Sequence, residues 1–404
     1  MCALSSRTPL KAERFERDDA FFASFFSKKN DERNNATSLN KEESSSNKND
    51  DRRFMKKLKG IKMHIGIAGV GLVGRVLALN LLQQGHTLTL FDADTAYGEK
   101  AAGMTAAGML AVFTELETAE SVIFEHGNRS ISLWPALLEQ VSIPEAYQQK
   151  GSIITAHPQD YKELDHFIET LKAKVEEASE IKLLDRIELT QLEPDLEQHA
   201  KAFFIPQEGQ VDAQKFMKAS SYYLLNHPNV TWNEETKVDE VNKKGILVDN
   251  VFHSFNWVFD TRGLGANAQV KDLRGVRGEV IWLDAPEVHI TRPTRMLHPR
   301  YKIYIVPREN NRYVIGATEI ESEDMSPVSV RSSLELLSAV YSMHTGFGEA
   351  RIVKMLSNCR PTLRDNLPNI EQEEKLTRIN GLYRHGYLLA PAIVEQALNQ
   401  GINK

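Results

Sequence analysis

Few folds are open to a chain that passes from a short apolar strand through Gly-x-Gly-x-x-Gly into an amphipathic run, as residues 63–94 do: MHIGIAGVGLVGRVLALNLLQQGHTLTLFDAD. His64 to Ala68 read as the strand, and Gly69, Gly71 and Gly74 as the turn. Val73, Val76, Leu77 and Leu81 form the inward face of a helix, and TLTLF a second strand. The pattern predicts the βαβ opening of a Rossmann-like α/β domain. There the turn and the first helical amides, at Leu72 and Val73, approach a pyrophosphate at the positive end of the helix. Asp92, ending the second strand, is placed to accept hydrogen bonds from a ribose. FAD and NAD both carry the adenosine diphosphate that such a turn receives, so the turn alone leaves the dinucleotide open.

At 404 residues the chain can bury a large core divided among two or three domains. A net charge of -6 offers no basic excess for a phosphate backbone, so nucleic acid is not an expected partner. Two cysteines, Cys2 and Cys359, cannot make a disulfide framework, which points to a reducing cytoplasm. The longest apolar runs, such as YLLAPAIVEQAL, fall short of the roughly 20 residues that span a bilayer. No metal site is expected. The first sixty or so residues are polar, charged and aperiodic, which predicts a disordered extension. An alternative reading starts translation at Met55 or Met63. AFFASFF is too short and too acidic on its N-terminal flank for a signal peptide.

Beyond the second strand, DADTAYGEKAAGMTAAGMLAVF has little periodicity, as a binding segment would, and leads into a helix up to about Trp134. Gly151–Ala156 reads as a strand, DYKELDHFIETLKAKVEEA as a surface helix and VDAQKFMKASSYYLLNH as a helix capped by Asp212. WVFDTRGLGAN looks like a return to the nucleotide-binding sheet. Alternation from Val276 to Thr318 predicts an antiparallel sheet in a second domain. Near the end, GLYRHGYLLA forms a strand and turn, and Pro391 opens the last helix.

YIVPR with YVIGAT, RPTLRDNLPNI and GLYRHGYLLAPA together resemble hallmark segments of the D-amino-acid-oxidase-like FAD-dependent oxidoreductases. Within that family the resemblance is nearest to the glycine oxidase group of thiamine biosynthesis, and it covers the chain from Met63 onward. It implies FAD as cofactor, with a small amino-acid substrate and O2 as partners; such proteins are often homo-oligomers. It also implies an alternating domain order: a disordered extension over residues 1–62, FAD-binding segments at 63–150, 206–270 and 351–404, and substrate-domain segments at 151–205 and 271–350.

The resemblance assigns Arg360 as the carboxylate anchor, a role that a guanidinium fork suits; the alternative is an Arg braced by an acid such as Asp365. Tyr304 matches a tyrosine on the substrate side, although it also fits a half-buried strand without a ligand. Arg384 matches an active-site arginine, with a surface turn as the plain alternative. Thr105, Ala106, Ala107, Gly108, Met109 and Leu110 resemble the small-residue stretch whose backbone meets the cofactor, or else form a flexible loop. His385 joins the cofactor-binding turn, and Gly386, Tyr387 and Leu388 would set backbone N–H groups, and the helix beginning near Pro391 its positive end, at the pyrimidine edge of the flavin. The chain departs from the family at Leu382, where His is frequent, and at His385, where Asn is usual. Cys359 raises the question of a covalent flavin, against the plainer reading of a small buried apolar residue.

The implied reaction is oxidative deamination to an imine, hydrolysed to glyoxylate and ammonia if the substrate is glycine, with O2 reduced to H2O2. Competing readings are a D-amino-acid or sarcosine dehydrogenase with another electron acceptor, a flavin-binding subunit without turnover, and an NAD-dependent dehydrogenase. The last leaves the C-terminal segments unexplained.

Overall fold

Strand β1 (His64–Ala68), helix α1 (Leu72–Gln83) and strand β2 (Thr87–Phe91) form where the apolar pattern places them. Ile65, Ile67, Leu88 and Leu90 are fully buried, as strands covered on both faces require. Helix α1 buries Leu72, Val76, Leu77 and Leu81, whereas Val73, expected inward with them, is half-buried at a cavity.

These elements belong to a computed structural model that describes residues 62–402 apart from 118 and 298–302. All described residues fall in the compact unit Ile61–Lys404. The expected extension up to residue 61, with Cys2, AFFASFF and the alternative start at Met55, lies outside them.

In the first sheet, β1 is flanked by β2 and by Trp257–Asp260, both parallel to it. Val230–Asn233 extends the β2 side, Leu376–Asn380 lies beyond Trp257–Asp260, and Asn369–Glu373 closes the edge antiparallel. WVFDTRGLGAN thus does return to the nucleotide-binding sheet, 193 positions after Ala68, where the Thr261 N–H donates to the Ala68 carbonyl oxygen at 2.8 Å.

Among the described residues the second sheet has nine strands, and Arg274–Asp284 lies next to one edge of it, between Arg312–Gly316 and the 12-residue strand Arg351–Thr362. Its pairings are antiparallel save one: Thr294–Leu297 runs parallel to Ser152–Ala156. Its core joins Ile281, Leu283, Ile305 and Ile315 to Leu336, Val340 and Met343 of the helix Val330–Met343.

The surface helix read from the sequence spans Tyr161–Lys174 and the helix after Asp212 spans Ala213–Leu225, which the Asp212 carboxylate caps by accepting from the Lys215 N–H at 3.1 Å. Two prolines correct the expected boundaries. The last helix begins at Gly386, and Pro391 lies inside it. A proline there frees the carbonyl four residues earlier, that of Tyr387, and this oxygen accepts the Trp134 indole N–H at 2.8 Å. Likewise the helix Ser121–Gln140 runs through Pro135 and past Trp134, where an end was expected. The carbonyl oxygen freed at Ile131 accepts the Tyr147 hydroxyl at 3.5 Å.

Candidate active site

A cavity of about 1110 Å³ runs between the glycine turn and the face of the second sheet. It exceeds the roughly 300–1,000 Å³ of ordinary small-molecule sites. At its β1 end the three glycines do different things. Gly69 has φ +88° and its Cβ would lie 2.5 Å from the Arg262 backbone, so the turn admits no side chain there. A Cβ at Gly74 would run into the Gly69 carbonyl oxygen, so this glycine lets α1 pack against the turn. Gly71 is different: its Cβ would meet nothing nearer than Ala101 Cβ at 4.0 Å, which leaves bare backbone facing the cavity. Leu72 and Val73 continue that wall.

Asp92 also lines the cavity, and its carboxylate is fixed by accepting from the Val70 N–H at 2.5 Å and the Asp94 N–H at 2.8 Å. Burial pushes its pKa up, while these backbone donors pull the other way. The acid therefore braces the turn as well as facing the site.

Thr105, Ala106, Ala107, Gly108 and Met109 line the middle of the cavity, but Leu110 does not: it is fully buried behind them. Alternation across a two-residue strand turns it away. The guanidinium of Arg308, which ends YIVPR but was given no role of its own, holds this small-residue segment by donating to the Ala107 carbonyl oxygen and to Gln210 Oε1.

At the far end lie His385, Gly386, Tyr387 and Leu388. Because the helix starts at Gly386, the N–H groups of its first turn have no intrahelical partners, so its positive end sits at these residues rather than near Pro391. The Tyr387 phenol is not available to a ligand, since it donates between the Gly103 and Ala213 carbonyl oxygens, each 3.1 Å away.

Arg360, Tyr304 and Arg384 converge on the same cavity, although up to 80 residues of sequence separate them. Arg360 lies on Arg351–Thr362, opposite Val276. Its guanidinium donates to the Thr318 carbonyl oxygen at 3.2 Å and the Arg277 carbonyl oxygen at 3.4 Å. Among the described residues no carboxylate lies within ion-pair distance of it; Asp365, the candidate brace, instead accepts from the Leu367 N–H at 3.0 Å. Tyr304 stands across the strand pair from Arg295 and Gly316. Burial raises its phenol pKa, against Arg360 and Arg295, so the hydroxyl keeps its proton.

Arg384 is not a loose surface residue. It holds Glu115 at 2.5 Å and Glu319 at 3.0 Å, and Glu115 holds Arg295 at 2.8 Å. Burial would raise the Glu115 pKa, but Arg384, Arg295 and His385 outweigh it and keep the carboxyl well below the usual range. Burial lowers the His385 imidazole to about 4 despite Glu115, whose Oε2 lies 3.4 Å from Nδ1. Glu208 fixes the turn carrying Glu115 from behind, accepting the Thr114 N–H at 2.8 Å, its hydroxyl at 2.7 Å and the Ser152 hydroxyl at 2.5 Å.

Sequence reasoning missed Glu115, Arg295, Glu319 and Glu208. Each is a single charged residue without motif spacing, and only the fold brings them together. Cys359 is buried, with its thiol 3.5 Å from the Ser322 carbonyl oxygen.

The FAD dependent oxidoreductase family, DAO, matches the chain over residues 64–397. The chain belongs to that family. A thiamine biosynthesis oxidoreductase, ThiO, of Rhizobium etli is 36% identical over 82% of this chain and 94% of its own length. A glycine oxidase of Geobacillus kaustophilus is 28% identical over 81% of this chain and 89% of its own. The crystal structure of glycine oxidase from Geobacillus kaustophilus superposes with a TM-score of 0.72 at 26% identity, covering 85% of this chain and 96% of that one. An iminodiacetate oxidase of Chelativorans, at 20% identity and a TM-score of 0.72, shares the fold. This chain is thus an FAD-dependent oxidoreductase, and its residues fit the cofactor: bare backbone at Gly71, the first turn of the helix that begins at Gly386, and one cavity joining them. No helix among the described residues is long and apolar enough to cross a membrane.

Proposed function

We propose that this enzyme oxidatively deaminates a small amino acid, glycine foremost, with sarcosine and small D-amino acids as further substrates, in thiamine biosynthesis. Glycine would yield an imine that water hydrolyses to glyoxylate and ammonia, with O2 reduced to H2O2. The names of its ThiO and glycine oxidase relatives support this reading. FAD, when bound, supplies the two-electron acceptor for the amine and returns the electrons to O2.

Gly69, Gly71, Leu72, Val73 and Asp92 would hold the adenosine diphosphate half. Residues 105–109 would meet the middle of the cofactor, and the amides of 386–388 the negative charge that gathers on a reduced flavin, while the His385 N–H donates to the Leu382 carbonyl oxygen at 3.0 Å. Gly74 and Leu110 would serve by packing.

The observation that carries the substrate reading is Arg360. Three arginines, Arg295, Arg360 and Arg384, face two glutamates, Glu115 and Glu319, which leaves one positive charge. Arg360 is the arginine whose donors meet only backbone carbonyls. A monocarboxylate would complete it with two parallel hydrogen bonds, and the Tyr304 hydroxyl would add a third. Arg384, already tied to two carboxylates, would act as a fixed wall of the site. The buried surroundings favour the neutral amine, the form from which oxidation proceeds, over the ammonium. His385, neutral far below physiological pH, would not serve as a proton acceptor.

The test is anaerobic titration of the yellow holoenzyme with glycine, sarcosine, D-alanine and D-proline, followed by admission of air. Bleaching fastest with glycine and stoichiometric peroxide in air are expected. Bleaching that only a quinone reverses would make the enzyme a dehydrogenase, and no bleaching by any amine would overturn the proposal.

A further inference from the structure

The two side chains proposed to face the substrate carboxylate, Arg360 and Tyr304, do not stand up from the sheet like ordinary strand residues. Each lies across a neighbouring strand at a glycine. An ideal Cβ at Gly278 would have the guanidinium of Arg360 as its three nearest neighbours, in overlap with Cζ and Nη2 and 2.6 Å from Nη1. An ideal Cβ at Gly316 would have the Tyr304 phenol as its three nearest, at 2.6 Å from the hydroxyl oxygen, 2.7 Å from Cζ and 2.9 Å from Cε2. The two glycines are close: Gly278 is on Arg274–Asp284 and Gly316 on the adjacent Arg312–Gly316, paired with Val280.

Neither glycine has the left-handed backbone that would call for glycine on conformational grounds, since positive φ is found at Gly69, Gly108 and Gly263 but at neither of these. Nor does either protect a backbone contact, as Gly69 and Gly74 do. Gly278 lies inside its strand, where glycine is ordinarily a cost because it orders more backbone and packs nothing, and Gly316 ends its own. What the missing side chains provide is floor space for two functional groups.

We propose that Gly278 and Gly316 are positioning residues for substrate-carboxylate recognition: they let the Arg360 guanidinium and the Tyr304 phenol lie flat on the sheet, at the depth where both reach one small carboxylate. The proposal rests on the reading of Arg360 as the anchor. A methyl at Gly278 meets the far end of a flexible side chain, so the guanidinium moves and the fold does not. Thr318 and Arg277, whose carbonyls fix the guanidinium from the edges, cannot hold it in place against an overlap from below. A displacement of about 1 Å at such a group is enough to degrade capture and orientation of a small substrate.

The experiment compares holoenzyme bearing Gly278→Ala, Arg360→Ala and both changes. It measures KM and kcat for glycine, the Kd of acetate read from the flavin absorbance, FAD content and Tm. Gly278→Ala is expected to raise KM and the acetate Kd about ten-fold or more, to lower kcat less than three-fold, and to leave FAD content and Tm unchanged. In the Arg360→Ala background it should add nothing, because the group it displaces is gone. Gly316→Ala, tested with Tyr304→Ala in the same way, gives an independent cycle and carries the test if Gly278→Ala does not fold. If Arg360→Ala leaves KM and acetate binding unchanged, the anchor reading falls. If Arg360→Ala weakens both but Gly278→Ala weakens neither, or weakens them fully in the Arg360→Ala background, the positioning proposal falls and the anchor reading stands.

Discussion

Glu115 joins two arginines that the sequence places 89 residues apart, Arg295 at 2.8 Å and Arg384 at 2.5 Å. Its carboxyl is held well below the usual range, so the folded protein keeps it charged where the unfolded chain, with a pKa of about 4.3, takes up a proton. The stability it contributes is complete above about pH 5 and is lost as pH falls through 4.3 toward the folded value. Glu115→Gln should therefore cost about 3 kcal/mol at pH 7, because two arginines lose a shared partner, and about 1 kcal/mol less at pH 3.5, which lies only partway down that interval. Urea midpoints at the two pH values measure this, and an equal loss at both would contradict it.

His385 makes the opposite end of the pH range informative. Burial lowers its pKa to about 4, against about 6.5 in the unfolded chain. Above pH 6.5 the two states are alike; as pH falls from there toward 4 the unfolded chain binds a proton that the folded protein refuses. Stability should drop by about 2 kcal/mol between pH 7 and pH 5, and His385→Asn should flatten that slope. Unfolding curves of both proteins across this interval decide the matter.

Trp134 and Pro391 are linked through one carbonyl. The Tyr387 oxygen that Pro391 leaves without a helical donor accepts the indole N–H at 2.8 Å, and Tyr387 and Trp134 also stack, with ring centroids 5.6 Å apart. Trp134→Phe keeps a ring but strands a buried acceptor, which should cost about 1–3 kcal/mol. Pro391→Ala in that background should restore part of the loss by returning an N–H to the same oxygen. Thermal denaturation of the single and double variants tests this, and equal losses in both would contradict it.

That linkage also shows where sequence reasoning stops. The glycine turn, the capping role of Asp212 and the return at Trp257–Asp260 were legible, because each is a local pattern whose cause lies within a few residues. Pro391 was misread as a helix start because the donor that excuses it, Trp134, lies 257 positions upstream. Glu115 and Arg295 left no signal for a related reason: an isolated acid and an isolated Arg look like solvated surface until the fold faces them. Leu110 was placed with its neighbours by resemblance, yet strand alternation turned it into the core.

Cys359 bears on how the flavin is held. Cys359 lines the cavity, but its thiol contacts the carbonyl oxygens of Ser322 at 3.5 Å and Asp324 at 3.7 Å, and burial raises its pKa, so it is not activated as a nucleophile. Acid precipitation should release all FAD into the supernatant, and Cys359→Ala should bind FAD as the native chain does. Flavin retained on the precipitate would show a covalent bond.

The glycine turn yields the most discriminating prediction, because its three glycines should fail in three ways. At Gly69 and Gly74 a Cβ strikes backbone, the Arg262 main chain at 2.5 Å in one case and the Gly69 carbonyl in the other. Alanine at either should destabilise the apoprotein by about 3 kcal/mol or more, whatever happens to the cofactor. At Gly71 the Cβ projects into open cavity, its nearest neighbour 4.0 Å away. Gly71→Val should therefore leave the apoprotein Tm within about 2 °C of the native value while abolishing FAD retention, since the added volume occupies the space a pyrophosphate needs against the backbone. Gel filtration with absorbance at 280 and about 450 nm, beside calorimetry of the apoproteins, separates the two kinds of failure. A Gly71→Val protein that stays yellow would mean that the pyrophosphate is received elsewhere in the cavity.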